Sequence, residues 1–352
     1  MKELIPAGAP ALCIDIGSCT QDALLLSPGE SPVNATRFVL PSPALLLARD
    51  IAAMTEARRD IYLRGTNMGG GFRGALRNHV QQGLRAAMHP DAALALTDTP
   101  ETLPPLGISL AGTCPPGYTS LRARDIDPAF WRKLCRMAGV RGGLHIVVAA
   151  QDHGFHPGKS NRAGRMELWR DFLRAGNGQG ADPSRLIYRK VPPALTRLAA
   201  IQAATRGPVA DTGSAALLGL LSMPEIAERS SRQGLVLVNA GNSHTVAFLV
   251  YQERVFGVYE QHTFGIAAAQ IADDLAAFSL GWLPNEQVLA AGGHGCVVLD
   301  LPPEAEGFRP VYIAGPQRRL LAPYGQLAAP YDDVMLTGSF GLLHGLELLH
   351  AR

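Results

Sequence analysis

The residues best suited to chemistry stand in two short turns. Asp15, Gly17, Ser18 and Thr20 occupy the turn of ALCIDIGSCTQDALLL, and Asn239, Gly241, Asn242, Ser243 and Thr245 occupy that of LVLVNAGNSHTVAFLV. In each, an apolar run ends on a short polar residue and a glycine follows two positions on. Small hydroxyl or amide side chains come next, and a second apolar run returns. Such a tip exposes backbone N–H groups, and its glycine lets a phosphate approach closely. The hydroxyls add donors, and Asp15 is placed to hold magnesium through water near that phosphate. Either turn alone reads equally as an ordinary hairpin; two in one chain can clamp a polyphosphate from both sides.

A second polar cluster, QDHGFHPGKSNR, follows the apolar run at 144–150. This puts Gln151, Asp152 and His153 at the C-terminal end of a strand, the edge at which open α/β sheets bind ligands. Asp152 can serve as a general base for a substrate hydroxyl, while Lys159 and Arg162 can hold an anionic substrate. The HxxH spacing of His153 and His156 also suits two metal ligands on a turn. A solvated polar loop is the competing reading. In NMGGGFRGALRNHV, Gly69, Gly70 and Gly71 open a helix that carries Arg73, Arg77 and His79. Free N–H groups and the helix dipole there favour an anion, unless the glycines only loosen the helix entrance. GGHG at 292–295 would bring His294 toward the same site. Arg318 and Arg319 read as a solvated face, and Asp273 with Asp274 forms no paired-carboxylate site.

The elements that must position these residues are short. Plentiful glycine (38) and proline (26) call for many tight turns. Strand-like runs fall at 11–16, 23–26, 61–63, 144–150, 235–239, 246–251, 254–259 and 311–314. Helix-like stretches fall at 74–88, 128–138, 165–175, 194–205, 213–221, 266–280 and 337–350. Their uneven alternation predicts a mixed α/β architecture. The proline-dense segment 99–118 reads as a surface excursion, 176–183 as a flexible loop, and a domain boundary is expected near 206–211.

The chain has 352 residues, of which 47% are hydrophobic and 18% charged, with a net charge of +2. Enough surface can leave water to build two cores, and the charge balance excludes a dedicated nucleic-acid binder. No apolar run approaches the ~18 residues of a membrane span. The N-terminal stretch meets Asp15 before a secretory core is complete, so a cytoplasmic location is expected. The five cysteines (Cys13, Cys19, Cys114, Cys135, Cys296) form no CxxC pair or CxxxCxxC triplet, which argues against a zinc ribbon or a cysteine-held cluster.

In this order the motifs resemble the actin, sugar-kinase and Hsp70 superfamily of ATP-binding proteins. IDIGSCTQDALLL is similar to its first phosphate loop and VNAGNSHTVAFLV to its second. DTGSAALLGLL, from Asp211, is similar to the connecting helix between the domains. VYIAGPQRRLL, with Gly315, resembles the strand–glycine–helix that contacts adenosine, and DDVMLTGSFGLLHGLELL resembles the second connecting helix. The resemblance implies two RNase H-like domains of the actin-like ATPase fold around an interdomain cleft. Residues 1–206 would be the first domain with inserted substrate loops, 207–336 the second, and 337–352 a connecting helix returning to the first. It implies ATP and magnesium (Mg2+) as cofactors, and an ATP-dependent phosphotransferase or ATPase acting on a small molecule. Asp211 would orient the attacking water or substrate hydroxyl, with Asp152 as the rival base.

More closely, NMGGGFRGALRNH, QDHGFHPGKSNR, DTGSAA, NAGNSHT and GGHG together are similar to a family often labelled pyruvate formate-lyase activating protein. Radical chemistry of that kind calls for three closely spaced cysteines around an iron–sulfur cluster, a spacing this chain lacks. It also departs from the ATPase pattern. Asparagine stands at 239 in place of aspartate, His244 in place of a small residue, and Gly315-Pro316 in place of a double glycine. Two other readings therefore stay open: a nucleotide-binding regulator that acts on a protein partner without turnover, and a metal-dependent transferase using His153 and His156.

Overall fold

A computed structural model describes residues 8–350. The reading that residues 1–7 begin no secretory segment, and the outer limits of the two terminal segments at 1 and 352, lie outside the described residues.

The chain opens with an antiparallel meander of β1 (Ala11–Ile16), β2 (Thr20–Leu26) and β3 (Thr36–Pro41). Helix α1 (Pro43–Glu56) follows, with Pro43 preset for its first turn and the Ser42 hydroxyl accepting from the Leu45 N–H. It leads into an insertion: β4 (Ile61–Gly65), α2 (Arg73–Gln81), β5 (Ala86–Met88), α3 (Pro90–Ala93), β6 (Ile108–Leu110) and β7 (Thr119–Ala123). These strands form a wholly parallel sheet in the order β6-β5-β4-β7, packed through Ile51, Leu63, Phe72, Met88 and their neighbours into a core of its own. The chain returns through α4 (Pro128–Met137), capped by Asp127, to β8 (His145–Ala150), which lies parallel to β1. Then come α5 (Asn161–Arg174), β9 (Ile187–Tyr188), α6 (Thr196–Thr205) and β10 (Val209–Ala210), completing a sheet ordered β3-β2-β1-β8-β10-β9.

After α7 (Thr212–Leu221) and α8 (Pro224–Ser230) the same plan recurs. β11 (Gly234–Ala240), β12 (His244–Tyr251) and β13 (Arg254–His262) form a second meander. It is followed by α9 (Ala268–Ser279), α10 (Asn285–Ala290), β14 (Gly295–Val298), β15 (Phe308–Ala314), β16 (Gln326–Leu327) and α11 (Thr337–His350). The second sheet runs β14-β13-β12-β11-β15-β16, with β15 parallel to β11. With edge strands β9 and β14 set aside, each sheet is a three-strand meander whose first strand is flanked by two further parallel strands. That is the RNase H-like arrangement, and its duplication is the actin-like ATPase fold.

Both sheets are covered on both faces, as their parallel centres require. On the first, Leu12, Ile14 and Val148 pack on α4 and α6 through Trp131, Leu198 and Ile201. Cys13, Val147 and Ala149 face α7 and α11. On the second, α9 packs through Ile271, Leu275 and Phe278, while Leu217 and Leu221 of α7 cover the opposite face. Helix α7 therefore lies between the two sheets, all its residues buried but Thr212. No helix among the described residues is long and apolar enough to cross a membrane.

Two expectations need correcting. The helix expected over 74–88 ends at Gln81, and 86–88 is strand β5. The proline-dense 99–118 is not only an excursion: Leu103 and Ile108 are buried in the insertion's core and β6 pairs with β5. Strands of two to four residues carry too little periodicity to read, which is also why β6, β9, β10, β14 and β16 escaped notice.

Candidate functional site

The two polar turns have the same local geometry. The Gly17 N–H donates to the Thr20 carbonyl and the Gly241 N–H to the His244 carbonyl, both at 2.9 Å. Asp15 stands across from Asp22, and Asn239 across from Val246, at matching places in the two hairpins. Both tips open into one cleft of about 450 Å³, lined on one side by Asp15, Gly17, Ser18, Thr20 and Asp22 and on the other by Asn239, Gly241, Asn242, Ser243 and His244. Gly315 closes the second side at φ +95°, so close to Asn239 and Ala240 that a side chain there would displace them. Gln317 fixes Asn242 by donating to its Oδ1 at 2.9 Å. Thr245 is different. It is buried, and its hydroxyl pairs with that of Thr263 at 3.1 Å, so it does not line the cleft.

Asp22 is a cleft carboxylate that sequence reasoning missed; the signal was its place directly across the strand pair from Asp15. Burial pushes the Asp15 carboxyl up to about 8, against a 2.8 Å hydrogen bond from Thr212 and with added repulsion from Asp22. Burial likewise pushes Asp22 up to about 7, against the hydroxyl of Thr20, and its Oδ1 is buried without a partner. Two carboxyls raised by burial, one with an orphaned oxygen, suit protonation or a cation.

The two expected bases are occupied elsewhere. Asp211 caps α7 by accepting from the Gly213 N–H, and Arg165 grips both its oxygens, Nη1 to Oδ2 at 2.8 Å and Nη2 to Oδ1 at 2.9 Å. The Asp152 N–H also donates to Asp211, and Asp211 does not line the cleft. Asp152 reaches the cleft wall but is 3% exposed, its oxygens accepting from the N–H groups of Gly154 and Leu198. Burial raises its carboxyl above the ordinary range, against those two bonds.

Of the expected substrate contacts, Gly69, Gly70, Gly71, Arg73, Gln151 and His153 line the cleft. Lys159 and Arg162 do not; Lys159 pairs with Glu167 on the surface at 3.2 Å. His79 is buried in the insertion, bonded to Thr55. Arg197, which no sequence motif marked, lines the cleft with its guanidinium held by Asp125 at 2.7 Å and by the Gln151 carbonyl at 2.6 Å.

At the cleft's inner end four histidine rings meet. His153 stacks on His294 with centroids 5.0 Å apart, and His244 lies 4.7 Å from His294 and 4.9 Å from His262. Burial drives the His153 and His244 imidazoles down to about 4 and that of His294 to about 3, so they are neutral at pH 7. Glu260 lies among them, fully buried, accepting from Gln151 Nε2 at 2.8 Å, Arg165 Nε at 2.9 Å and Trp169 Nε1 at 3.2 Å. Burial works to raise Glu260, but Arg165 and the imidazoles overcome it and hold the carboxyl far below its usual range. His156, expected to partner His153, instead turns its Nε2 to the His153 carbonyl and is not among the closely spaced donor groups. The GGHG segment does bring His294 here, its N–H donating to the Glu260 carbonyl.

No protein among the curated sequences matches this chain. Similar solved structures include the activator of the 2-hydroxyisocaproyl-CoA dehydratase from Clostridium difficile with bound ADPNP, at 10% identity over 97% of this chain and 96% of that one, TM-score 0.33. The inorganic polyphosphate/ATP-glucomannokinase from Arthrobacter sp. strain KM is 14% identical over 97% and 100%, TM-score 0.33. The ROK hexokinase from Thermus thermophilus is 12% identical over 97% and 100%, TM-score 0.33. A family profile matches residues 68–320, most of the chain and the span that holds the cleft's histidines. The protein belongs to the family described as "Putative pyruvate format-lyase activating enzyme (DUF1786)".

Proposed function

We propose that the cleft binds a nucleoside polyphosphate with magnesium and transfers a phosphoryl group from ATP to water or to a small-molecule acceptor. One observation carries this reading: two hairpin tips of identical hydrogen bonding, Gly17–Thr20 and Gly241–His244, open on the same cleft. Their N–H groups and the hydroxyls of Ser18 and Ser243 supply donors from both sides, and Gly315 lets the chain pass close behind Asn239. Arg73 adds positive charge on the insertion's side, while the charge of Arg197 is paired by Asp125. Asp15 and Asp22 fit a hydrated magnesium ion, since both carboxyls are raised by burial and Asp22 Oδ1 lacks a partner. When bound, that ion would offset the charge of the phosphates. Asn239 stands at the place matching Asp15 and is neutral, so the cation belongs to the first hairpin's side.

Phosphoryl transfer draws most of its acceleration from positioning and electrostatics. The proposed division is 1–206, 207–336 and 337–352, with acceptor selection in the insertion, whose glycines 69–71 face the phosphate tips across the cleft. The proposed compartment is the cytoplasm, where five free cysteines stay reduced. Calorimetric titration with Mg-ATP and Mg-ADP tests the binding; failure of both to bind in a magnesium-dependent way rejects the reading.

A second reading is favoured by the state of Asp152 and Asp211, whose oxygens are all engaged inside the protein. With both expected bases so engaged, the nucleotide would act as a conformational signal to a protein partner. Tight Mg-nucleotide binding without single-turnover phosphate release selects this reading over catalysis.

A further inference from the structure

We infer that His153, His244, His294 and Glu260 form a site for one divalent d-block metal ion of the zinc class. Each offers one ligand atom, and the four atoms lie within 4.8 Å of one another. Three imidazole nitrogens and one carboxylate oxygen suit borderline ions such as zinc, cobalt or iron(II), and suit magnesium and calcium poorly. Donors around a tetrahedral ion with bonds of ~2.1 Å stand about 3.4 Å apart, so the cluster needs to close by roughly 1.4 Å at most.

Packing alone does not account for the cluster. His294 is 5% exposed, and its Nδ1 is buried with no hydrogen-bond partner. Imidazoles collected in a core are ordinarily hydrogen-bonded there. The surrounding groups have the form of a metal site's outer shell: Gln151, Arg165 and Trp169 all donate to Glu260, fixing its carboxylate plane. Arg165 is in turn locked by Asp211 and lies 5.1 Å from the Trp169 ring, so Glu260 is held by groups that cannot swing away.

The four ligands come from both halves of the fold. His153 follows β8 of the first sheet, while His244 opens β12, Glu260 lies in β13 and His294 precedes β14, all in the second. The ion would therefore staple the loop after β8 to the second sheet, at the residue that follows Ser243. His153 and His244 also line the cleft, so the site sits at the wall of the cleft with its four positions filled by the protein.

The test uses the untagged full chain, stripped with chelator and dialysed against zinc or cobalt(II). One zinc per chain is expected by elemental analysis, and cobalt loading should give the intense visible bands of a four-coordinate nitrogen–oxygen site. His244→Ala, His294→Ala and Glu260→Gln should each weaken zinc binding at least tenfold, while His156→Ala retains one ion per chain. A folded wild-type chain that takes up no stoichiometric zinc, or that gives a six-coordinate cobalt spectrum of hydrated type, overturns the site. Loss of the ion in His156→Ala with retention in His294→Ala would move it to the HxxH turn and equally overturn this assignment. The cobalt spectrum is read on the wild-type chain, so the test stands even if a variant fails to fold. Nucleotide titration of the stripped protein reports separately on the phosphate cleft.

Discussion

Thr212 donates its hydroxyl to Oδ1 of Asp15 at 2.8 Å, joining the first turn of α7 to the end of β1. The other side of Asp15 is pressed by α11: a side chain on Gly338 would overlap Oδ2. One carboxyl is thus set by both helices that pass between the sheets, and its position is sensitive to their packing. Asp15→Asn is expected to weaken Mg-ATP binding by roughly tenfold or more, the scale of a lost charge-assisted contact, with little loss in magnesium-free titrations. Calorimetry with and without magnesium checks it.

The same carboxyl predicts a pH effect. Its folded value, about 8, lies above the unfolded value of 3.8, so between these limits the folded chain binds more protons than the unfolded one. Stability attributable to Asp15 is therefore greatest below pH 4, falls as pH rises toward 8, and levels above it. Asp22 adds a parallel fall that ends near 7. The histidines act oppositely below 6.5, since they stay neutral when folded. The informative quantity is the difference between Asp15→Asn and wild type: the melting-temperature advantage of the variant should grow from pH 5 to pH 8.5 without magnesium. A difference independent of pH would show that Asp15 is ionised throughout.

The second hairpin separates two hydroxyls that look alike in sequence. Ser243 faces the cleft, whereas Thr245 is turned inward to Thr263. Ser243→Ala is expected to weaken nucleotide binding about five- to tenfold, near the ~1 kcal/mol of one hydrogen bond. Thr245→Val should leave it unchanged, because Thr263 keeps its bond to the Gly241 carbonyl at 2.7 Å. Equal losses in both would mean that the turn adopts another register when a ligand binds.

Where α7 crosses α11, each helix offers a glycine to the other's backbone. A side chain on Gly341 would overlap the Ala215 carbonyl, and one on Gly219 the carbonyl of Thr337. Gly341→Ala is expected to destabilise the fold by about 1–3 kcal/mol, the usual cost of overpacking a tight core, and urea denaturation measures it. The loss should exceed that of Gly74→Ala, where nothing lies within 4 Å.

The motifs legible in sequence were those whose chemistry is local. The turn residues around Gly17 and Gly241 announce themselves because backbone geometry and donors sit within a few positions, and helices α7 and α11 show as stretches rich in small and apolar residues. What stayed hidden depends on distant partners. Asp211 reads as a free base for the attacking water or hydroxyl until Arg165, far along the chain, is seen to bind both its oxygens. His244 looks like an intrusion into a phosphate loop, and Glu260 falls just past the strand expected at 254–259, until tertiary pairing sets them beside His153 and His294. Arg197 and Asp125 likewise meet only through the fold.

Arg165 gives the strictest test of how the two sheets are held together. It is buried, bound at 2.8 Å to Asp211 at the head of α7 and at 2.9 Å to Glu260 in β13. Such a pair gains little over an apolar isostere, but removing the cation alone strands two buried carboxylates. Arg165→Met is therefore expected to cost about 3–5 kcal/mol by urea denaturation. Arg165→Lys should recover only part of this, since an ammonium cannot match the two-pronged bond to Asp211 and donate to Glu260 at once. Adding Asp211→Asn and Glu260→Gln to Arg165→Met should restore stability beyond the sum of the single effects, because the stranded charges are gone. Additive losses in the triple variant would show that the three groups act independently and that the sheets are joined chiefly by the apolar contacts of α7.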